Sequence, residues 1–215
     1  MTDVIAALAC FVGIVLLFAI PIAISIRIAN RRRSEQAGEL ARLVRDFIDT
    51  PSSATAQSRV VEFAREMPMP VPLQAGALAV HANTFAAMVM DPSQTTVLNW
   101  ILDKSEINGL DRTALFKCLG AVVKNAASDA DSQSRYIQIV SRIKPPITSA
   151  EASWLYQLSL DYLEGTRGAT GAKALALQLG RISYSAARPD RRPTVYDEQA
   201  IGNDIGSRCP SDRPA

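Results

Sequence analysis

The stretch EGTRGATGAKALALQLG, from Glu164 to Gly180, has the glycines and the lysine from which phosphate-binding loops are made. A Walker loop needs GxxxxGK followed by Ser or Thr, because glycines let backbone amides curl around phosphate while the hydroxyl holds magnesium. Here Lys173 is preceded by Ala172 and followed by Ala174, and Thr166 stands five residues before Gly171, so every diagnostic position fails. A dinucleotide fingerprint must follow a strand, whereas the preceding SWLYQLSLDYLEG has helical periodicity. The GTRG tetrad fits the GxxG clamp of a KH module, but the small sheet that module requires is not found. The stretch therefore predicts a helix cap at Gly165, a short loop and a new helix from about Gly171 to Ala186.

Other reactive residues are sparse. His81 is the single histidine, so a His-based metal cluster or a Ser/His/Asp relay would have to include it. The carboxylate pairs Asp129 with Asp131 and Glu151 with Asp161 read as solvated surface groups. Cys10, Cys118 and Cys209 have neither disulfide nor zinc spacing, which fits a main body in a reducing compartment. No catalytic residue, metal or cofactor is assigned. Net charge is only +2, which gives no electrostatic support to nucleic-acid binding.

The elements that carry these residues begin with an apolar run. VIAALACFVGIVLLFAIPIAISI, residues 4–26, contains no charged side chain. At about 1.5 Å per residue it matches a hydrocarbon core of about 30 Å with some length left for tilt. A buried soluble helix and a cleaved signal peptide are the alternatives, and a start (Met1, Thr2, Asp3) without a basic residue and the RIANRRR exit favour an uncleaved transmembrane anchor. Arg27, Arg31, Arg32 and Arg33 all follow the span, which predicts an outward N-terminus and a cytoplasmic body, with a bacterial inner membrane as the default location. The same arginines are candidate contacts for anionic lipid headgroups. Ala6, Ala9 and Gly13 lie near one face and form a candidate packing stripe for self-association or for assembly in a membrane complex.

Beyond Ser34 the pattern is helical throughout. Leu40, Leu43, Val44, Phe47 and Ile48 share one face before Pro51, and Val60, Phe63, Ala64 and Met67 share another. MPMPVP has prolines at 68, 70 and 72 and reads as an extended connector, not a PxxP ligand. LQAGALAVHANTFAAMVM, residues 73–90, is apolar on almost every face and predicts a central core helix. Asp91 and Pro92 open the next helix, Asp111 is read as the cap of another, and further helices start near Ser132 and Ser149. After Ala187 the chain turns rich in Pro, Gly, Asp and Arg and predicts a disordered tail, residues 188–215. Within it Val195, Tyr196, Ile201 and Ile205 are candidate partner-binding residues.

Helix starts near Ser53, Leu73, Pro92, Asp111, Ser132, Ser149 and Gly171 recur at roughly twenty residues, or forty per pair. That period resembles HEAT-like or armadillo-like repeats, and LDRTALFKCLGAVV is faintly similar to the second helix of a HEAT repeat. The expectation is an all-α chain: an anchor (1–33), a helical domain (34–187) of seven or eight helices in a hairpin stack or an irregular bundle, and a tail (188–215). The function expected is a non-enzymatic, membrane-anchored adaptor or scaffold for protein partners. An accessory subunit acting through its membrane helix, and an enzyme or ligand binder with an unrecognised site, are the alternatives.

Overall fold

A computed structural model describes residues 20–166, 169–190 and 194–208, and for residues 2–19 the helical course of the backbone alone. The chain is all-α. Its helices are α1 (Thr2–Asp49), α2 (Ala54–Glu66), α3 (Ala82–Met90), α4 (Pro92–Lys104), α5 (Gly109–Ala121), α6 (Val123–Ala126), α7 (Ala130–Arg142), α8 (Ser149–Gly165), α9 (Thr170–Ala187) and α10 (Val195–Ser207). Two short segments, β1 (Val71–Pro72) and β2 (Ser105–Glu106), pair in parallel.

Neighbouring helices form hairpins, α1 with α2, α3 with α4 and α8 with α9, while α7 folds back beside α6. In one layer α2, α4, α7 and α9 are successive neighbours; in the other α3 adjoins α5 and α5 adjoins α8. The result is a two-layered stack whose core runs continuously from Leu40 in α1 to Leu179 in α9. Sequence caps set the starts of its rods. The Asp91 carboxylate accepts from the backbone N–H groups of Ser93 and Gln94, Asp129 does so for Ser132, and Thr148 with Glu151 closes a capping box.

The first boundary expected, between residues 33 and 34, is not a break in structure. α1 is one helix, with Pro21 inside it, and only burial changes along its length. Ile20, Ile22, Ile24, Ile26 and Ile28 are 50–57% exposed, whereas Leu40, Val44 and Phe47 are fully buried. Among the described residues, no helix is long and apolar enough to cross a membrane. The apolar run 4–26 lies mostly outside the described residues, as do the side chains of Ala6, Ala9 and Gly13.

Three other expectations need correction. Residues 73–90 do not form one core helix: α3 starts only at Ala82, and residues 73–81 make a turn-rich loop. Gly76 sits at φ +85°, a conformation glycine adopts freely, and Leu73, Ala77 and Leu78 are buried without helical structure. The loop is held from below by Asp111, whose Oδ1 accepts the Leu78 backbone N–H at 2.8 Å. Asp111 is therefore not the cap of α5. It is 1% exposed, two residues inside a helix that begins at Gly109, where φ is +61°.

The same helix stops at Ala121, and the chain restarts as α6 after Val122. The third concerns residues 188–215, which are not a disordered tail throughout. Thr194 and Asp197 form a reciprocal capping box, and α10 buries Ile201 and Ile205 against the rest of the stack. Gly180 makes this approach feasible, since a Cβ there would stand 2.7 Å from Ile201 Cγ2. Tail-wide composition hid a short segment with its own cap and an i, i+4 isoleucine pair.

Candidate functional site

The joint between α8 and α9 replaces the phosphate loop considered above. α8 ends at Gly165, α9 begins at Thr170, and Arg167 and Gly168 lie outside the described residues. Gly171 packs against the α6–α7 connection so closely that a Cβ would fall 2.2 Å from the Ala127 carbonyl oxygen, and Gln133 donates to the Gly171 carbonyl at 2.6 Å. Gly171 here serves helix packing.

The carboxylate pairs do not converge on common chemistry. Asp129 caps α7 and Asp131 is exposed beside it; Glu151 belongs to the α8 capping box, while Asp161 accepts from Gln157. His81 is exposed at the start of α3. Cys118 is buried, its thiol pushed up by desolvation, with Sγ 3.3 Å from the Val80 carbonyl oxygen. Among the described residues, no cluster of His, Cys, Asp and Glu could hold a metal ion.

A concave site does exist between α5 and α8, and of its lining residues the sequence singled out only Glu151. Gly109, Arg112, Thr113, Phe116 and Lys117 form one stripe of α5 at helical spacing, facing Ala150, Glu151 and Trp154 of α8. The groove between them encloses about 430 Å³. Phe116 forms its apolar floor, and Trp154, 42% exposed, its far wall. Gly120 lets the indole lie against α5, because a Cβ at that position would stand 2.6 Å from Trp154 Cη2.

Arg112 fixes the near wall. Its Nε and Nη2 donate to the two Glu151 carboxylate oxygens, each at 2.6 Å, while Nη1 and Nη2 reach the Pro145 and Pro146 carbonyls at 2.9 and 3.2 Å. The guanidinium also lies 5.4 Å from the centre of the Phe116 ring. This fork neutralises Glu151 and leaves Lys117 as the exposed cation of the groove. The signals in the sequence were the i, i+3/i+4 series 109, 112, 113, 116 and 117, and the aromatic Trp154 on the polar side of a helix whose Leu155 points to the core.

The Glu151 carboxyl is held below its ordinary value, chiefly by the hydrogen bond from Arg112, then by contacts with Thr148, against a desolvation cost. A depressed folded value means that the charge stabilises the fold above the unfolded value, near 4.5, and that this contribution disappears as pH falls through the folded value. The Glu151→Gln variant is therefore expected to be less stable than the parent at neutrality, with the gap closing as pH falls below 4.5 and through the lowered folded value. Urea unfolding midpoints across that range measure it; a gap that stays constant would contradict the assignment.

The other residues singled out in the sequence are dispersed. Arg31 pairs with Glu35 on the exposed surface of α1, and Arg33 donates to Glu106 Oε1 at 3.1 Å and to the Pro70 carbonyl at 3.3 Å. Arg27 and Arg32 are exposed. In α10, Val195 and Tyr196 are 71% and 82% exposed, whereas Ile201 and Ile205 are the contacts with the stack. These four do not share one open face. No protein-family model, curated protein or solved structure matches the chain.

Proposed function

We propose that this protein is a membrane-anchored helical scaffold that holds another protein in the α5–α8 groove, with residues 4–26 crossing the bilayer and the helical body on the cytoplasmic side. The observation that carries this reading is α1. Its described outer part leaves five isoleucines bare, and its inner part is a core element of the body. Bare isoleucines on a projecting helix are costly in water and are well solvated by lipid acyl chains. Because the helix is continuous, anchor and body are joined without a flexible linker, and the body keeps a set attitude towards the membrane.

The groove supplies the chemistry of the partner. Phe116 and Trp154 suit an aromatic or branched aliphatic anchor, and Lys117 suits a carboxylate beside it, a combination matching an acidic amphipathic segment. Arg27, Arg31 and Arg32, on the exposed flank, fit anionic lipid headgroups. The test is affinity purification of the detergent-solubilised full chain beside three versions: one lacking residues 1–33, Trp154→Ala and Lys117→Glu. Partners kept without the anchor but lost with both groove substitutions are the expected result. Partners lost with the anchor and kept by the groove variants would favour action through the membrane helix instead.

A further inference from the structure

The proline-rich connector joins α2 to β1 and projects one residue from the body. Met69 is 67% exposed at its tip, flanked by Pro68 and Pro70, although the residues on either side of this turn, Met67 and Val71, are buried. The turn is pinned in two places. The Lys104 ammonium donates to the Met67 carbonyl at 2.6 Å, and Arg33 donates to the Pro70 carbonyl at 3.3 Å while pairing with Glu106 beside β1.

The second contact places the turn along α1. Arg33 lies seven residues beyond Ile26, about 10 Å of helix rise. Side chains on a helix lean towards its N-terminus, so the Arg33 guanidinium covers the turn before its own Cα, closer to the bilayer end of α1. Further along, a Cβ on Gly38 would meet the Gln74 side-chain amide at 3.3 Å, so the chain from residue 74 back to 70 runs along α1 in the direction of the anchor. Met69 adjoins Pro70 at the exposed tip of the turn. The polar headgroup layer of each leaflet is about 5–7 Å thick, half the difference between the full bilayer and its hydrocarbon core. With residues 4–26 filling the core, the Arg33 Cα falls just outside that layer, and a guanidinium reaching back by one helical turn, roughly 5 Å, brings Pro70 to it.

We infer that the Pro68–Pro70 turn is a second membrane contact, which seats Met69 in the lipid headgroup region beside α1; this rests on the reading of residues 4–26 as a span. A methionine held between two prolines offers an apolar side chain on a pre-ordered backbone, so little conformational freedom is lost when it enters the interface. The contact gives the body two points of attachment, α1 and the turn, and so fixes its rotation about the α1 axis as well as its distance from the bilayer. That rotation decides which way the α5–α8 groove faces.

The experiment uses the full chain reconstituted into phosphatidylglycerol-containing vesicles made with lipids brominated either near the headgroup or deep in the acyl chain. Three variants are read against the parent protein: Ile24→Trp for the span, Met69→Trp for the turn, and Tyr196→Trp on α10 at the other end of the stack. The expected result is loss of Ile24→Trp emission with deep bromine, loss of Met69→Trp emission with shallow bromine, and no loss from Tyr196→Trp. Quenching at Ile24→Trp with none at Met69→Trp would overturn the inference and leave the anchor in place. Absence of quenching at Ile24→Trp would overturn the anchor, and the second contact with it.

Discussion

Tyr136→Ala is expected to lower stability by about 3–5 kcal/mol, the range for removing a large aromatic from a packed core. The melting temperature should fall on the order of 10 °C for a body of this size. Tyr136 on α7 has no exposed surface, and its hydroxyl donates to the Leu119 carbonyl of α5 at 2.9 Å. Leu119 lies in the last turn of α5, where carbonyls run out of intrahelical partners because the helix breaks at Val122. The phenol thus fills the space between α7 and α5 and satisfies the helix end that it meets. Tyr136→Phe separates the roles: it keeps the ring and should cost only about 1 kcal/mol. Thermal melts of both variants check this, and equal losses would show that the hydroxyl, not the ring, dominates.

Arg112→Ala carries the second large effect, about 2–3 kcal/mol of stability. The pair with Glu151 is mostly shielded, at 14% and 24% side-chain exposure, and so is less weakened by solvent than the ion pairs of α1. Removing the guanidinium leaves Glu151 with its Thr148 donors alone, takes the donor from the Pro145 and Pro146 carbonyls, and removes the cation over Phe116. Arg112→Lys should recover only a small part, because an ammonium cannot form the two parallel bonds to Glu151. A double-mutant cycle with Glu151→Gln measures the coupling directly. Additive losses would mean that the fork contributes nothing as a pair. The same substitution should also weaken partner capture, since Arg112 shapes the groove wall and ties it to the α7–α8 connection.

How far these features could be read from sequence depends on the kind of signal. Helices such as α2, α4 and α8 announce themselves through Ser53, Asp91 with Pro92, and Thr148, because a cap is local chemistry, whereas the Asp129 cap of α7 reads in the sequence as a solvated surface group. The loop at residues 73–81 was hidden for the opposite reason. Its apolar residues are buried by tertiary contacts, and the carboxylate that holds it, Asp111, comes from a helix far along the chain. A tertiary hydrogen bond has no periodicity to detect. α10 was hidden by averaging: the arginines and prolines before it outweighed Ile201, Ile205 and the Thr194 cap.

The groove was half legible. Its α5 stripe has plain helical spacing, yet nothing in the sequence states that Ala150, Glu151 and Trp154 would stand opposite, because α5 and α8 are brought together by the intervening α7 hairpin. Arg112 and Glu151 looked like ordinary surface charges for the same reason. The proposed anchor is the reverse case. Its argument comes from residues 4–26 as a run, most of which lies outside the described residues, and among the described residues no helix is long and apolar enough to cross a membrane.

The most direct measurement is extraction of membranes containing the full chain with alkaline carbonate, beside a version that starts at Ser34. A chain anchored by α1 stays in the membrane pellet, while the shortened version is released to the supernatant. Release of the full chain would contradict the anchored scaffold at its root.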